Sequence, residues 1–404
     1  MKPKTWKCTA AMTLLAALAI PLQFAAQQQP EHHRQRNYHV VTYGTLGGTS
    51  SAANAINDRG WVMGSANLAD DTTMHATAWI RGRMLDLGTL GGPDRNSSVP
   101  WAGVRNNDGF IVGVSETDDL DPYGEFWSCA LAFFNTITGH TCKAFVWRDG
   151  SMTALPTLGG RNGVATGNNH WGQAVGWAET SLPDSTCNLP QVFQFKAAVY
   201  DLRRRKTRPL EPLPGDPDSA ATAINDWSQV VGISGLCSNA IGGLSAQHAV
   251  LWEHGVPTEI PNLGGKAWNT PTAINNRGQV VGFSDLPNDD PAHPNYHAFL
   301  WTKEGGIKDL GVLPGDTRSI AWGINDRGQV VGQSTHPGSR RAFIYENGVM
   351  TELQTLMPPG SPLLQYANDI NNRGEIVGGA FDPSTNEAPA FKAIPQDDDD
   401  SAHK

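Results

Sequence analysis

The chain of 404 residues carries 44 Gly and 27 Pro, and only 17 % of its residues are Asp, Glu, Lys or Arg. That balance argues against a long disordered polyampholyte, and no long helical period is evident. The formal net charge of −9 disfavours nucleic acid and anionic membrane as partners.

Residues 1–26 read as an export signal, with Lys2, Lys4 and Lys7 ahead of an apolar run from Ala10 to Ile20, then Pro21 and a cleavage region near Ala25 and Ala26. The run is too short to span a bilayer, which takes roughly 20 residues. No Cys follows it, so a lipid anchor is not expected, and the destination is the extracellular space, with the periplasm as an alternative. Without the three lysines of this leader the formal charge moves from −9 to −12. Residues 27–37 read as a linker.

Tyr38 to Gly48 (YHVVTYGTLGG) is a lone strand with an LGG tail. One short phrase then recurs seven times: AIND at Ala55, RNND at Arg105, GNNH at Gly167, AIND at Ala223, AINN at Ala273, GIND at Gly323 and DINN at Asp369. Its shared Asn is read as Asn57, Asn106, Asn168, Asn225, Asn275, Asn325 and Asn371, at spacings of 49, 62, 57, 50, 50 and 46 residues. Self-similarity at such periods marks an array of supersecondary units, none of which buries its apolar face alone. Units of this length hold four short strands, which is a propeller blade.

A second phrase recurs out of phase with the first, as HATAWIRGRMLDLGTLGG from His75, KAFVWRDGSMTALPTLGG from Lys143, HAVLWEHGVPTEIPNLGG from His248 and HAFLWTKEGGIKDLGVLPGD from His297. Together the phrases give four strands per unit: an inner one ending at the Asn, a second such as Gln279 to Ser284, a third such as Ala298 to Trp301 and a fourth such as Ile307 to Leu310. N-D-R-G and N-N-R-G join the first pair through an Asx residue and a Gly able to take positive φ, as a tight hairpin requires. The seventh unit ends after its third strand, Ala390 to Ile394. The lone strand at Tyr38 supplies its fourth, so the prediction is an all-β, seven-bladed β-propeller of four-stranded antiparallel blades closed three-plus-one by the N-terminal strand. One domain then covers 38–395, followed by an acidic tail, 396–404, containing Asp397 to Asp400.

The INxxGxVVG and HAFLW…DLGxLGG phrases, the latter containing His297, Ala298 and Phe299, resemble those of the bacterial extracellular HAF-repeat family over residues 38–394. The resemblance implies a secreted repeat protein and brings no established activity with it. The chain departs from the pattern at Gln173 to Val175 and Tyr200 in the third unit, at Trp227-Ser228 in the fourth, where a turn Gly is expected, and at Ala393 in the seventh.

Of five cysteines, Cys8 lies in the leader. Cys129, Cys142, Cys187 and Cys237 remain for an oxidising compartment, where disulfides persist. Four cysteines allow three pairings. Blade register favours Cys129 with Cys142, inside one insertion, and Cys187 with Cys237, in equivalent loops of neighbouring blades. No C-x-x-C spacing supports a metal site.

The loops from second to third strand and those from blade to blade share one face, here called upper, and the long insertions occur there. Binding usually resides in variable loops on a rigid scaffold. The richest insertion, in the second blade, holds Asp118, Asp119, Asp121, Tyr123, Glu125, Phe126 and Trp127, acids beside flat rings as carbohydrate recognition needs. The competing reading makes Phe126 to Asn135 an apolar cap with solvated acids around it. A calcium site is disfavoured, because Asp118 to Asp121 lacks an ordered ligand spacing. His75, Lys143, Lys196, His248, His297 and Arg341 open the third strands and form a basic ring, read either as an anion collar or as structural residues at strand edges. The recurring Asn and Trp positions read as turn and packing residues.

No H-E-x-x-H, G-x-S-x-G, phosphate-loop or dinucleotide motif occurs, and no metal or cofactor is expected. The leading expectation is a secreted, non-catalytic, monomeric propeller that binds an extracellular carbohydrate or protein through its upper face. The alternatives are a polysaccharide hydrolase or lyase, drawing on Asp118, Glu179, Asp184, Asp285, Asp289, Asp290 and His293, and a structural protein with no discrete ligand.

Overall fold

The computed structural model describes residues 37–100, 103, 105–125, 127–129, 133–240, 247–265, 268–287 and 295–396. The leader, Phe126, Asp289, Asp290, His293 and the run Asp397 to Asp400 lie outside the described residues. Each repeat folds into one antiparallel sheet whose four strands follow chain order from the axis outwards, and seven such sheets form a ring. Blade 1 comprises Gly47–Ile56, Val62–Leu68, Met74–Ile80 and Arg83–Asp86. The inner strands of the others are Ser97–Ser98, Gly159–Asn168, Asp218–Ile224, Asn269–Ile274, Arg318–Ile324 and Leu363–Ile370.

Closure follows the three-plus-one scheme. Tyr38–Tyr43 pairs antiparallel with Ala390–Pro395, from Tyr38 opposite Pro395 to Tyr43 opposite Ala390, so the last blade takes its outer strand from the N-terminal end of the domain and its other three from the C-terminal end.

Two features of the repeat have direct physical causes. The inner strand carries a bulge just before the shared Asn, as between Ala53 and Ala55 or Ala321 and Gly323. It drives a carbonyl towards the second strand, where a Cβ at Gly64, Gly232 or Gly332 would overlap the oxygen of Ala52, Ala220 or Ile320. Only Gly fits there. Apolar residues of facing blades fill the space between sheets, as Val175, Val199, Val230 and Trp252 do between blades 3 and 4. Each fully buried large side chain of this kind contributes about 1.5–3 kcal/mol.

The shared Asn does more than shape its turn. Asn275 Oδ1 accepts the N–H groups of Arg277 and Gln279, each at 3.0 Å, which is the predicted Asx role. Its Nδ2 donates to the backbone carbonyl of Asn325 in the next blade at 2.9 Å. The same donation runs from Asn57 to Asn106, from Asn106 to Asn169, and through Asn225, Asn275, Asn325 and Asn371 back to Asn57. In blade 3 the ring residue is therefore Asn169, not Asn168. Asn169 Oδ1 accepts from Trp171 and Gln173, whereas Asn168 accepts from the Asn106 N–H and donates to the Phe110 carbonyl.

Both disulfides have the expected partners. Cys129–Cys142 closes within the blade 2 insertion at a Cα–Cα distance of 5.6 Å, and Cys187–Cys237 ties the insertions of blades 3 and 4 at 4.6 Å. Among the described residues no helix is long and apolar enough to cross a membrane.

Candidate functional site

The two ends of the axis differ. Three positions before the ring Asn, Thr166, Thr222 and Thr272 turn their hydroxyls to the next inner strand, donating to the carbonyls of Ala221, Pro271 and Ala321 at 3.1, 2.7 and 2.7 Å. Asn54 and Asn368 make the equivalent bonds to Val99 and Ala53 at 2.8 and 3.1 Å. In blade 6 this position is Trp322. The side chains are thus small on blades 3 to 5 and large or amide-bearing on blades 6, 7 and 1, where an upper-face cleft of about 640 Å³ opens.

Trp322, Gln333, Arg340, Tyr366 and Asn368 form one wall of this cleft, and Asn54, Phe133, Phe134 and Asn135 face them. The last three come from the blade 2 insertion, held across blade 1 by Asn135 Nδ2, which donates to Asn67 Oδ1 at 3.0 Å and to the Asp71 carbonyl at 3.3 Å. The Tyr366 ring lies over Gly379, where any Cβ would strike it. Burial pushes the Tyr366 hydroxyl up from its ordinary pKa, and the Arg340 charge opposes that shift. Arg340 is exposed and has no carboxylate partner among the described residues.

Towards the hairpin end the axis is crossed by an ion pair that breaks the repeat. Asp369 stands two residues before the ring Asn, where five other copies have Ala or Gly, and Arg105 stands directly before it, where five copies have Ile. Arg105 Nη2 reaches Asp369 Oδ1 at 3.1 Å and donates to the Ile324 carbonyl at 2.6 Å. Asp369 is fully buried, and its Oδ2 accepts the Ile56 N–H at 3.0 Å. Burial pushes its pKa up while Arg105 and that N–H oppose the shift. Between this pair and the asparagine circle a cavity of about 30 Å³ remains, lined by Arg105, Asn57, His170, Asp226 and Asp326 among others.

The predicted residues of the blade 2 insertion divide into buried and exposed sets. Trp127 is 6 % exposed, stacked on Phe195 at 3.9 Å between ring centroids and tilted against Trp177 at 4.6 Å. Asp121 accepts the N–H groups of Tyr123 and Glu125 and the amide of Asn162. Glu125 is buried and accepts the N–H groups of Val192 and Phe193 at 2.8 and 2.9 Å. Asp118, Asp119 and Tyr123 are exposed; Asp118 pairs with Arg95 at 3.2 Å, and Tyr123 meets Phe193 edge-on. The aromatic packing of the cap reading and the surface acids of the binding reading therefore coexist in one loop.

The basic ring is largely engaged. His75 Nδ1 contacts Asp86 and His297 Nδ1 contacts Asp309, both at 2.9 Å on the same blade's outer strand. His248 contacts Asp216 at 2.9 Å, Lys196 pairs with Glu211 at 2.6 Å, and Arg341 holds Asp316 and Glu352, each at 2.9 Å.

Two carboxyl pairs have strongly raised members. Burial and the Glu179 charge push Glu125 up to about 7, with Gln191 Nε2 donating to both carboxylates. Burial and the neighbouring Asp184 push Asp218 up to about 9. Neither pair lines the cleft. Asp285 is buried with Oδ2 accepting the Trp268 N–H at 2.8 Å. No group of three or more His, Cys, Asp or Glu among the described residues is arranged to hold a metal ion.

Sequence reasoning missed Trp322, Arg340, Tyr366, Arg105 and Asp369. The available signal was departure from the repeat at equivalent positions: Trp322 where Thr222 and Thr272 stand, Asp369 where Ala or Gly recurs, and Arg105 where Ile recurs.

No protein-family model and no curated protein matches the chain. Among solved structures, an oligogalacturonate lyase in complex with manganese is 10 % identical, with a TM-score of 0.47, and the match covers 89 % of this chain and 97 % of that one. The oligogalacturonate lyase of Vibrio parahaemolyticus is 10 % identical, with a TM-score of 0.40 and the same coverage of 89 % and 97 %. Dipeptidyl peptidase 4 of Porphyromonas gingivalis is 11 % identical, with a TM-score of 0.38, covering 86 % of this chain and 59 % of that one. Likenesses this distant carry no argument about activity. The seven four-stranded sheets themselves establish that the chain is a seven-bladed β-propeller.

Proposed function

We propose that this is a secreted, non-catalytic binding propeller that takes an extracellular glycan in its upper-face cleft. One observation carries the reading: Trp322 and Tyr366 share a cleft of about 640 Å³ with Asn54, Asn135, Asn368, Gln333 and Arg340. Sugars present C–H faces that stack on rings and hydroxyls that bond to amides and guanidinium, and clefts that bind small ligands combine apolar walls with few polar groups. The cleft is wide enough to admit more than one ring, and Trp322, Gln333, Arg340, Tyr366 and Asn368 stand on strands of a closed disc while Asn135 of the insertion is tied to blade 1, so little order has to be gained on binding. Two disulfides support export, since such bonds persist in oxidising compartments. The HAF-repeat resemblance supports the same destination. Exposed Asp119 and Tyr123 extend the contact surface along the same face.

The test is a glycan array probed with the purified protein and with a Trp322→Ala/Arg340→Ala variant. Saturable binding that the variant loses supports the reading. Binding that the variant keeps, or an array that stays silent while an extracellular protein is bound, contradicts it.

A further inference from the structure

The hairpin face carries a feature that neither the repeat nor the upper-face reading explains. Two residues after the ring Asn, the turn exposes Arg59, Asp108, Arg277, Arg327 and Arg373 in five blades, and Trp171 and Trp227 in blades 3 and 4. The fold does not need an aromatic here, since Arg or Asp fills the position elsewhere. Yet Trp171 is 70 % and Trp227 71 % exposed. Each is fixed in place, because Trp171 Nε1 donates to the Asp226 carbonyl at 2.7 Å and Trp227 Nε1 donates to the Asn276 carbonyl at 2.8 Å. Two indoles on neighbouring blades are thus held rigidly in water by their N–H groups. Ordering them on a ligand costs little, because their positions are already set.

Basic side chains stand close to both indoles in a chain of formal charge −9, interleaved with acids such as Asp108 and Asp226. Arg203 lies against Gly172, next to Trp171, and begins the exposed run Arg203, Arg204, Arg205, Lys206, with Asp108 4.0 Å from Arg203 and Asp201 3.1 Å from Arg204, both in exposed pairs open to competition. Beside Trp227 a groove of about 390 Å³ is lined by Arg277, His254, Gln229 and Glu253. Arg277 donates only to the neutral amide of Gln279, with no carboxylate partner among the described residues. Glu253 is already engaged by Lys303 at 3.0 Å and Gln229 at 2.9 Å.

We propose that this face is a second binding site, for a uronate-bearing polysaccharide, with Trp171 and Trp227 stacking on sugar rings while Arg203 and Arg277 pair with the sugar carboxylates. Stacking needs ring faces, and the spaced guanidinium groups suit about one charge per sugar. Asp108 and Glu253 within the same surface disfavour a densely charged phosphate chain. The site is separate from the upper-face cleft and does not depend on it.

The test titrates alginate, a polyuronate, into the purified protein. Dextran serves as a neutral control and polyphosphate as a polyanion without rings. The variants are Trp171→Ala/Trp227→Ala and Arg203→Ala/Arg277→Ala. The proposal expects saturable alginate binding, weakened about tenfold or more by the tryptophan pair. It also expects weakening with reduced salt dependence in the arginine pair, and dextran bound more weakly. Both tryptophans are exposed, so their variant should melt with wild type, which separates lost binding from lost fold. Alginate binding indifferent to the tryptophan pair overturns the proposal, as does absence of alginate binding or polyphosphate competing for the same tryptophans with equal affinity. A concentration-dependent dimer abolished by Trp227→Ala would assign the face to a second copy instead, and would equally overturn it.

Discussion

Asn371 donates its Nδ2–H to the backbone carbonyl of Asn57 at 3.1 Å, across 314 residues of sequence. This bond completes a circle of seven carboxamides, each bonding the next blade while shaping its own turn. Aspartate could accept the turn N–H groups but has no donor for the next blade, whereas the amide accepts on its oxygen and donates from its nitrogen at the same time. The ring is thus closed twice, by the strand Tyr38–Tyr43 at the rim and by the asparagines at the axis.

Asn275→Asp keeps the acceptor that shapes the turn and turns the donor into a second acceptor facing the Asn325 carbonyl and Gln279 Oε1. The position is buried, so the substitution should cost about 2–4 kcal/mol. Urea denaturation of the variant beside wild type measures it, and a change below about 0.5 kcal/mol would show the circle to be energetically idle.

Arg105→Ala leaves the buried Asp369 carboxylate without its cation, which should cost about 3–5 kcal/mol. Arg105→Ala/Asp369→Ala removes both charges and should recover much of the loss. A double variant no more stable than the single one would mean that packing, not charge, dominates at the axis.

The same axis shows how much of the molecule was legible in the sequence. Blade number, turn positions, the three-plus-one closure and both disulfides followed from periodic spacing and local turn chemistry, because each is fixed by residues close in sequence or equivalent between repeats. Which inner-strand residues look into the channel was not legible. The bulge between Ala321 and Gly323 shifts the alternation of faces, and a pattern of period two does not reveal that shift. Trp322 therefore passed unnoticed, and Asn168 was chosen over Asn169 in a blade where either residue would precede the turn. Trp127 stood out for its composition, but its stacking on Phe195 is a tertiary contact with the next blade.

Trp127→Ala should consequently lower stability by about 3–5 kcal/mol, whereas Tyr123→Ala, at a half-exposed ring, should stay within about 1 kcal/mol. Thermal melts of the two variants separate these roles. Equal, small effects would put Trp127 outside the core.

Asp218 is held protonated well above the ordinary carboxylate range, up to about 9, by burial and by its bond to Asp184. The unfolded chain releases this proton near pH 4, so the folded state loses stability as pH rises from about 4 towards 9. Asp218→Asn can still accept from the Phe195 N–H and donate to Asp184 without titrating. Its melting temperature should match wild type near pH 4 and exceed it by about 2–4 °C near pH 8. A constant difference across that range would contradict a raised Asp218 carboxyl.

At His75, burial lowers the pKa but the Asp86 bond and charge outweigh it, giving a net rise, while Asp86 is lowered by the same contact against its own burial. The imidazolium contribution is complete below about pH 6.5 and fades as pH rises through the raised value. The carboxylate contribution is present above about pH 4 and fades as pH falls through the lowered one. Asp86→Asn should therefore destabilise most near pH 5–6 and least near pH 3 and pH 9, in melts recorded across that range. A loss that grows above pH 8 would contradict the ion pair.

The most direct test of the binding account is to locate a bound glycan in a crystal of the purified protein soaked with the tightest array ligand. The account predicts a sugar ring on Trp322, with Arg340 and the amides of Asn368 or Asn135 within hydrogen-bond distance of its hydroxyl or acid groups. An empty cleft, with the ligand seated elsewhere on the disc, would contradict it.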